Sequence, residues 1–436
     1  MGLQTKELRR LAARQGMLAV SGSNFSGRTE LLRRATGLVH DGSEDDGNGG
    51  RGIYVGPEIY DFLSGIAGTV EDELRLNGAL ERDSAVAHHL LQEMGLYELR
   101  DQNPFTLSGG EQVLLVLASA LAMPGGLLAL DCALEQLSVK TRARVLGLLR
   151  KRTVPGDGIV IADNRLSEWT TRIPCFPVQR FGGSRGANIV QFPVRAGKVG
   201  CLQPIESVRI DVEGLTFRYS RGPLVLRDAC LTLESGRIYT LQGENGAGKS
   251  TFAKLMVGLL RPAKGRMLCN GTVVRPWVRP ATIVGYHFQN PDFELFETTV
   301  QNEIAASRRR NIVARLMAAF GLSKADGATR LDDGGDIVAR LMAAFGLTDV
   351  SEIHPMALPF ALRKRVAMAA TLAMNVPWFI MDEPTFGQDD VAAVELAAIL
   401  QIFAEAGRGV VVICHSPWFG RVLDATPINL KDGVFH

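Results

Sequence analysis

The chain has 436 residues, with 48 Lys and Arg against 46 Asp and Glu, 46% hydrophobic residues and six cysteines. That length suggests two or three folded units, each able to bury a full core. A formal charge of +2 excludes both the strongly basic face of a nucleic-acid binder and an acidic disordered tail. The cysteines, at 132, 175, 201, 230, 269 and 414, form no C-x-x-C pair and no metal-ligand spacing. They predict small buried thiols in a reduced compartment.

In chain order, MGLQTKELRRLAARQ is polar and basic with no apolar core behind it, so no signal peptide is expected. The glycine-punctuated SGSNFSGRTELLRRATGL (21–38) is followed by DGSEDDGNGG (41–50), an acidic flexible turn to which no function is assigned. Leu107-Ser108-Gly109-Gly110-Glu111 opens an apolar helix. S-x-x-E is a capping box. Two consecutive glycines also let the backbone approach a ligand closely, with the helix dipole aimed at an anion, and both readings hold together. Val113 to Leu130 carries no charge over eighteen residues, close to a membrane span. Pro124-Gly125-Gly126 cuts it into a helical run and the strand-like LLALD, which read as buried core, so no span is expected. Residues 178–206 read as a linker with some extended structure, between a first domain (1–177) and a second (207–436).

In the second half the strand-like GRIYTLQG leads into Gly243-Glu-Asn245-Gly246-Ala-Gly248-Lys249-Ser250, which matches G-x-x-x-x-G-K-[ST] and opens a helix, with Thr251 next. Glycines there let backbone N–H groups surround a phosphate, and the helix N-terminus adds its positive end. Lys249 then reaches the β and γ phosphates, and the Ser250 hydroxyl ligates Mg²⁺. Tyr219, upstream in LTFRYS, is a candidate to stack on adenine. FIMDEPT (379–385) is an apolar strand ending in two carboxylates. Asp382 would hold Mg²⁺ and Glu383 would orient and polarise the attacking water. Gln289, in YHFQNP, and His415, in VVICHS, stand where a Mg²⁺/water sensor and a γ-phosphate sensor are needed.

The two halves align with each other. SGSNFSGRTELLRRATGL lines up with QGENGAGKSTFAKLMVGL (242–259), and 107–134 with 358–385. Ser108 to Asp131 and Pro359 to Asp382 are both 23 residues; Asp131 to Asn164 and Asp382 to His415 are both 33. The chain therefore reads as a tandem duplication of an α/β domain in which strands alternate with helices. IVARLMAAFGL also occurs twice, at 312–322 and 337–347. Only the second copy keeps register with the first half, so about 311–335 reads as an insertion: either an added docking surface or a duplication without a role.

Together these motifs (P-loop, glutamine loop, LSGGE signature, aspartate-glutamate strand and histidine) resemble the motif set of ABC ATPases, twice over nearly the whole chain. VGYHFQNPDFELFETTVQNEI (284–304) and DEPTFGQD (382–389) are most similar to the ATPases of energy-coupling factor importers. The resemblance implies two P-loop NTPase domains, each an α/β core with a helical subdomain, packed head to tail as an intrachain ATP sandwich. It implies ATP and Mg²⁺ as ligands and a place on the cytoplasmic face of the membrane. It also implies a transmembrane coupling component docked near Gln289, a separate substrate-binding membrane component, and no nucleic acid. The alternative is a soluble tandem ABC ATPase acting on ribosomes or as a switch; the long charged linker or N-terminal cysteine cluster usual in such proteins is missing from this sequence.

In the paired arrangement one site takes Lys249, Ser250, Gln289, Asp382, Glu383 and His415 from the second half and Ser108, Gly109, Gly110 and Glu111 from the first. The other site is depleted. Arg28 replaces the lysine, swapping a compact ammonium for a planar fork. Gly56 replaces the glutamine, Cys132 the glutamate and Asn164 the histidine. The facing signature reads Pro359-Phe360-Ala361-Leu362, without a hydroxyl and with a ring where glycine is expected. Thr29 and Asp131 survive, compatible with weak Mg-nucleotide binding, and no counterpart of the strands carrying Tyr219 is expected in the first half. One working site per chain is expected.

Overall fold

The computed structural model describes residues 5–22, 24, 26–38, 52–76, 84–123, 126–152, 158–164, 175–177, 194–220, 222–244, 246–276, 283–309, 334–414 and 417–436. The chain divides into two compact units, Met1–Gln191 and Phe192–His436. The division falls inside the stretch read as a linker.

In the first unit the strands are β1 (Met17–Ser21), β2 (Ile53–Val55), β3 (Leu127–Asp131), β4 (Gly158–Ala162) and β5 (Cys175–Pro177). They form one sheet in the order β2-β3-β4-β1-β5, parallel throughout. LLALD and GIVIA are buried at every position, as expected of strands covered by helices on both faces. Successive residues of a strand serve opposite cores. Met17 and Ala19 pack with helices Ser84–Met94, Gly109–Ala122 and Val139–Arg152. Leu18 and Val20 pack with helices Thr5–Gln15 and Arg28–Ala35. Helix Thr5–Gln15 offers a narrow stripe, Leu8 and Ala12, one turn apart. It lies directly on β4 because a Cβ at Gly158 would stand 2.6 Å from that of Ala12.

In the second unit the strands are β6 (Arg209–Arg218), β7 (Leu224–Glu234), β8 (Ile238–Gln242), β9 (Lys264–Cys269), β10 (Thr272–Val274), β11 (Val284–His287), β12 (Trp378–Asp382), β13 (Gly409–Ile413), β14 (Thr426–Lys431) and β15 (Val434–Phe435). The main sheet runs β11-β12-β13-β8-β14-β15, parallel except for its last pair. Its first five strands repeat the order of the first unit, so the duplication read in the sequence is a duplication of topology. An antiparallel sheet, β10-β9-β6-β7, has no counterpart among the described residues of the first unit. Helices Val300–Arg309, Gly334–Ala344 and Phe360–Ala373 pack on one another as a helical subdomain. Helix Gly334–Ala344 is built from the second copy of the repeated segment. The first copy, and the insertion up to residue 333, lie outside the described residues.

Residues 194–206 run as a strap over the second unit. Arg195 N–H donates to Ala344 O (2.6 Å), Ala196 N–H to the Glu395 carboxylate (2.7 Å) and Ile205 N–H to Ala406 O (3.0 Å). Arg340 donates to the carbonyls of Val199 and Cys201, and Arg408 to that of Gln203. The strap thus joins the helical subdomain to helix Asp390–Glu405 of the α/β core. Among the described residues no helix is long and apolar enough to cross a membrane.

Candidate active site

In the second unit, β8 gives way to a glycine loop and then at once to helix Lys249–Val257. Gly248 has φ 100°, and a Cβ there would stand 2.7 Å from Val225. Both facts demand glycine. Lys249, the first helical residue, is buried, and its ammonium donates to Gly243 O (2.9 Å) and Glu244 O (3.0 Å). Burial draws its pKa down, while the charges of Glu383 and Asp382 work against that fall. The lysine is thus held along the loop within the field of both strand-end carboxylates. Tyr219 is 46% exposed; its hydroxyl meets Thr251 Oγ1 at 3.1 Å and its ring stands edge-on to Phe217. Asn245 and His415 lie outside the described residues.

Asp382 ends β12, every residue of which is buried. Its Oδ2 accepts from the Tyr286 hydroxyl at 2.9 Å, and among the described residues no other donor bonds this carboxylate. Glu383 follows in the left-handed region, φ 48°, with its N–H on Ile413 O at 2.8 Å. Strain of this kind collects at functional positions. Gln289 comes just after β11, ahead of a turn capped by Asn290. Ser250, Gln289 and Asp382 offer a hydroxyl, an amide oxygen and a carboxylate whose second oxygen is not taken up. That all-oxygen set suits Mg²⁺ completed by substrate phosphates.

The first unit shows the same frame with different occupants. Arg28 also opens its helix and is buried, but its fork reaches across the site. One terminal nitrogen donates to Gly22 O (3.0 Å) and Asp163 O (3.3 Å). The other donates to Cys132 Sγ (3.2 Å) and Asn164 Oδ1 (3.0 Å). Its Nε lies 3.5 Å from Asp131. Thr29 Oγ1 donates to Asp131 Oδ2 at 2.5 Å, and Tyr54 donates to the same oxygen at 3.1 Å. Among the described residues no such bond joins Ser250 to Asp382. Burial holds the Cys132 thiol far above its ordinary pKa, so it stays neutral and supplies no general base. The groups read as the remnant of a catalytic site are bonded mainly to one another.

Strand register corrects one expectation. Tyr54 pairs with Ala129 on β3 and Tyr286 with Ile380 on β12, and Ala129 and Ile380 are equivalent in the duplication. Counting on from the tyrosines, Pro57 rather than Gly56 stands at the position of Gln289. Residues 56–58 and 288–290 have no residue type in common, so sequence alone does not fix their register. The tyrosines went unnoticed in sequence because each bonds a carboxylate 77 or 96 positions away. Their only signal is a lone tyrosine at the same register in both halves.

The two signatures differ as their side chains require. Ser108 caps helix Gly109–Ala122, and Glu111 closes the capping box by accepting Ser108 N–H at 2.8 Å. The exposed helix start carries no side chain on its first two residues. In the second unit Pro359 makes no side-chain cap to helix Phe360–Ala373. Phe360 turns onto Phe386, ring centroids 5.2 Å apart, and lies against Gly387, where a Cβ would meet it at 2.8 Å. Ala361 and Leu362 complete a helix start with a ring in place of glycine.

The family model described as ABC transporter matches residues 10–135 and 226–386, about two thirds of the chain, and the chain belongs to that family. It is an ATPase of α/β architecture with two such domains in tandem. A putative ABC transporter ATP-binding protein of Methanosarcina mazei is 26% identical over 437 residues, 92% of this chain and 84% of that protein. The energy-coupling factor transporter ATP-binding protein EcfA1 of Thermotoga maritima is 28% identical over 208 residues, 48% of this chain and 73% of that one. Among solved structures, a model of ribosome-bound archaeal Pelota and ABCE1 matches with a TM-score of 0.64 at 16% identity, covering 96% of this chain and 73% of that chain. That likeness is one of fold.

Proposed function

We propose that the chain is the ATP-hydrolysing subunit of an energy-coupling-factor-type importer, with one competent ATP site and one closed one. The carrying observation is the contrast between the two P-loop residues: Lys249 lies along its loop, whereas Arg28 is consumed by Cys132, Asn164 and two carbonyls. The competent site draws on Gly243, Asn245, Gly246, Gly248, Lys249, Ser250, Thr251 and Tyr219. The Ser108, Gly109, Gly110 and Glu111 helix start completes it, the two domains closing head to tail as an ATP sandwich. Lys249 binds the β and γ phosphates, Glu383 takes the proton of the attacking water, and His415 contacts the γ-phosphate. Mg²⁺, held by Ser250, Gln289 and Asp382, neutralises phosphate charge when bound. The remnant site of Arg28, Thr29, Pro57, Asp131, Cys132 and Asn164, facing Pro359, Phe360, Ala361 and Leu362, hydrolyses nothing. Residues 1–177 and 207–436 are the two domains, and closure moves a transmembrane coupling component on the cytoplasmic face of the membrane, which works with a substrate-binding membrane component.

Glu383→Gln tests the site. Losing the general base is worth about 10²-fold or more, so steady-state ATPase falls to background while ATP binding stays. Substantial turnover in that variant rules the assignment out. Co-purification decides the role: a multi-pass membrane protein supports the importer, and ribosomes support a soluble tandem ATPase instead.

A further inference from the structure

Beneath the Gln289 loop lies a cluster of buried polar side chains that the proposed site does not use. His287 Nδ1 and Glu294 Oε1 are 2.6 Å apart, their side chains 0% and 2% exposed. Glu294 also accepts Phe288 N–H and the Thr371 hydroxyl, both at 3.3 Å. Lys364, fully buried in helix Phe360–Ala373, donates its ammonium to the backbone carbonyls of Phe288 (3.3 Å) and Gln289 (2.5 Å). Two side chains thus grip three successive residues of the loop, 287 to 289, from below.

The duplicated domain supplies the control. At the equivalent positions the first unit has Val55 for His287, Phe62 for Glu294, Val113 for Lys364 and Ala120 for Thr371. All four are apolar and belong to or pack against its core. The fold therefore does not need the polar cluster, and buried ionic groups are seldom a source of stability. The two copies differ in what the loop must hold. The first unit presents Pro57, whose ring fixes its own φ and whose carbonyl accepts the Ile59 N–H at 3.2 Å and the Gln136 amide at 3.4 Å. The second presents a glutamine, whose backbone nothing fixes by covalent geometry.

We propose that Lys364, with Glu294 and His287, is a positioning device for Gln289: it fixes the backbone from which the amide reaches Mg²⁺ and the attacking water. This rests on the assignment of Gln289 as the Mg²⁺/water contact. The ammonium acts through the two carbonyls it donates to. It sits one turn into the helix that opens with the lost signature, so that helix retains a part in the competent site after losing its own contact to phosphate.

The test is a variant that copies the sister domain, His287→Val, Glu294→Phe, Lys364→Val and Thr371→Ala together, alongside Lys364→Met and Gln289→Ala, all in the full chain. A fluorescent ATP analogue is titrated with EDTA and with saturating Mg²⁺, and the Mg²⁺ half-saturation of hydrolysis is measured in parallel. The fourfold variant is expected to melt no lower than wild type and to bind the analogue within twofold of wild type in EDTA. It should lose about tenfold of the tightening that Mg²⁺ confers, as should Lys364→Met. Gln289→Ala should give the same loss, and combining it with Lys364→Met should add nothing further. Full Mg²⁺-dependent tightening in the fourfold variant, with Gln289→Ala impaired, overturns the proposal alone. An equal loss of affinity with and without Mg²⁺ also overturns it, since that is general damage. If Gln289→Ala leaves Mg²⁺ dependence intact, the role given to Gln289 falls and the proposal with it.

Discussion

Arg28 makes the sharpest quantitative claim. For the N-terminal pocket to accept Mg-nucleotide, the guanidinium must leave at least Cys132 Sγ (3.2 Å) and Asn164 Oδ1 (3.0 Å), and Thr29 must leave Asp131. Hydrogen bonds to a charged group contribute roughly 1.5–3 kcal/mol each when buried. Breaking the two from Arg28 costs about 3–6 kcal/mol, the weak sulfur acceptor favouring the lower end. That corresponds to an affinity about 10²- to 10⁴-fold below that of the Lys249 site. Equilibrium dialysis with a slowly hydrolysed ATP analogue should give one nucleotide per chain up to about 100 times the first dissociation constant. Lys249→Ala should then bind almost none, and Lys249→Ala with Arg28→Lys should recover a site, because the shorter ammonium cannot span to Asn164 and Cys132 together. The reasoning fails if Lys249→Ala alone binds nucleotide within tenfold of the wild-type affinity.

Other expectations follow from the same geometry. Ser108→Arg, in the first domain, should lower steady-state ATPase about as far as Glu383→Gln, roughly 10²-fold or more; normal activity would dismiss the proposed shared site. Tyr286→Phe removes the hydroxyl that orients Asp382 and should raise the Mg²⁺ half-saturation of hydrolysis about 10- to 100-fold. An unchanged value would show that the tyrosine does not orient the carboxylate. Gly409→Ala would place a Cβ 2.3 Å from Trp378 Cε3. Overpacking of about 1–3 kcal/mol should lower the melting temperature by roughly 2–12 °C, and an unshifted melt would refute the close-packing argument.

Much of the frame could be read in the sequence because phosphate chemistry fixes residue types at short spacing. Gly243 to Ser250, FIMDE and LSGGE each announce a strand end or a helix start within eight residues, and β8, β12 and their helices lie where those motifs put them. What stayed hidden depends on distant partners. Arg28 reads as a worn lysine until its fork is seen bonded to residues 104 and 136 positions away. Lys364 has no local signal at all, because the carbonyls it holds, those of Phe288 and Gln289, lie 76 and 75 positions away. Pairing register corrected Gly56 to Pro57 because only hydrogen-bonded strands say which residue faces which. Helix Thr5–Gln15 was hidden by its composition, with Leu8 and Ala12 its only buried residues.

The turn after each aspartate is built alike in the two domains. Cys132 holds φ 55° and Glu383 φ 48°, and each sends its N–H to the neighbouring strand, to Ala162 O and Ile413 O, both at 2.8 Å. The left-handed turn is therefore present whether a cysteine or a glutamate occupies it. In each domain the bond to the neighbouring strand holds it. The two domains thus carry different side chains on the same local scaffold. Arg28→Lys and Cys132→Glu would set a lysine and a glutamate back onto a backbone already bent to receive them.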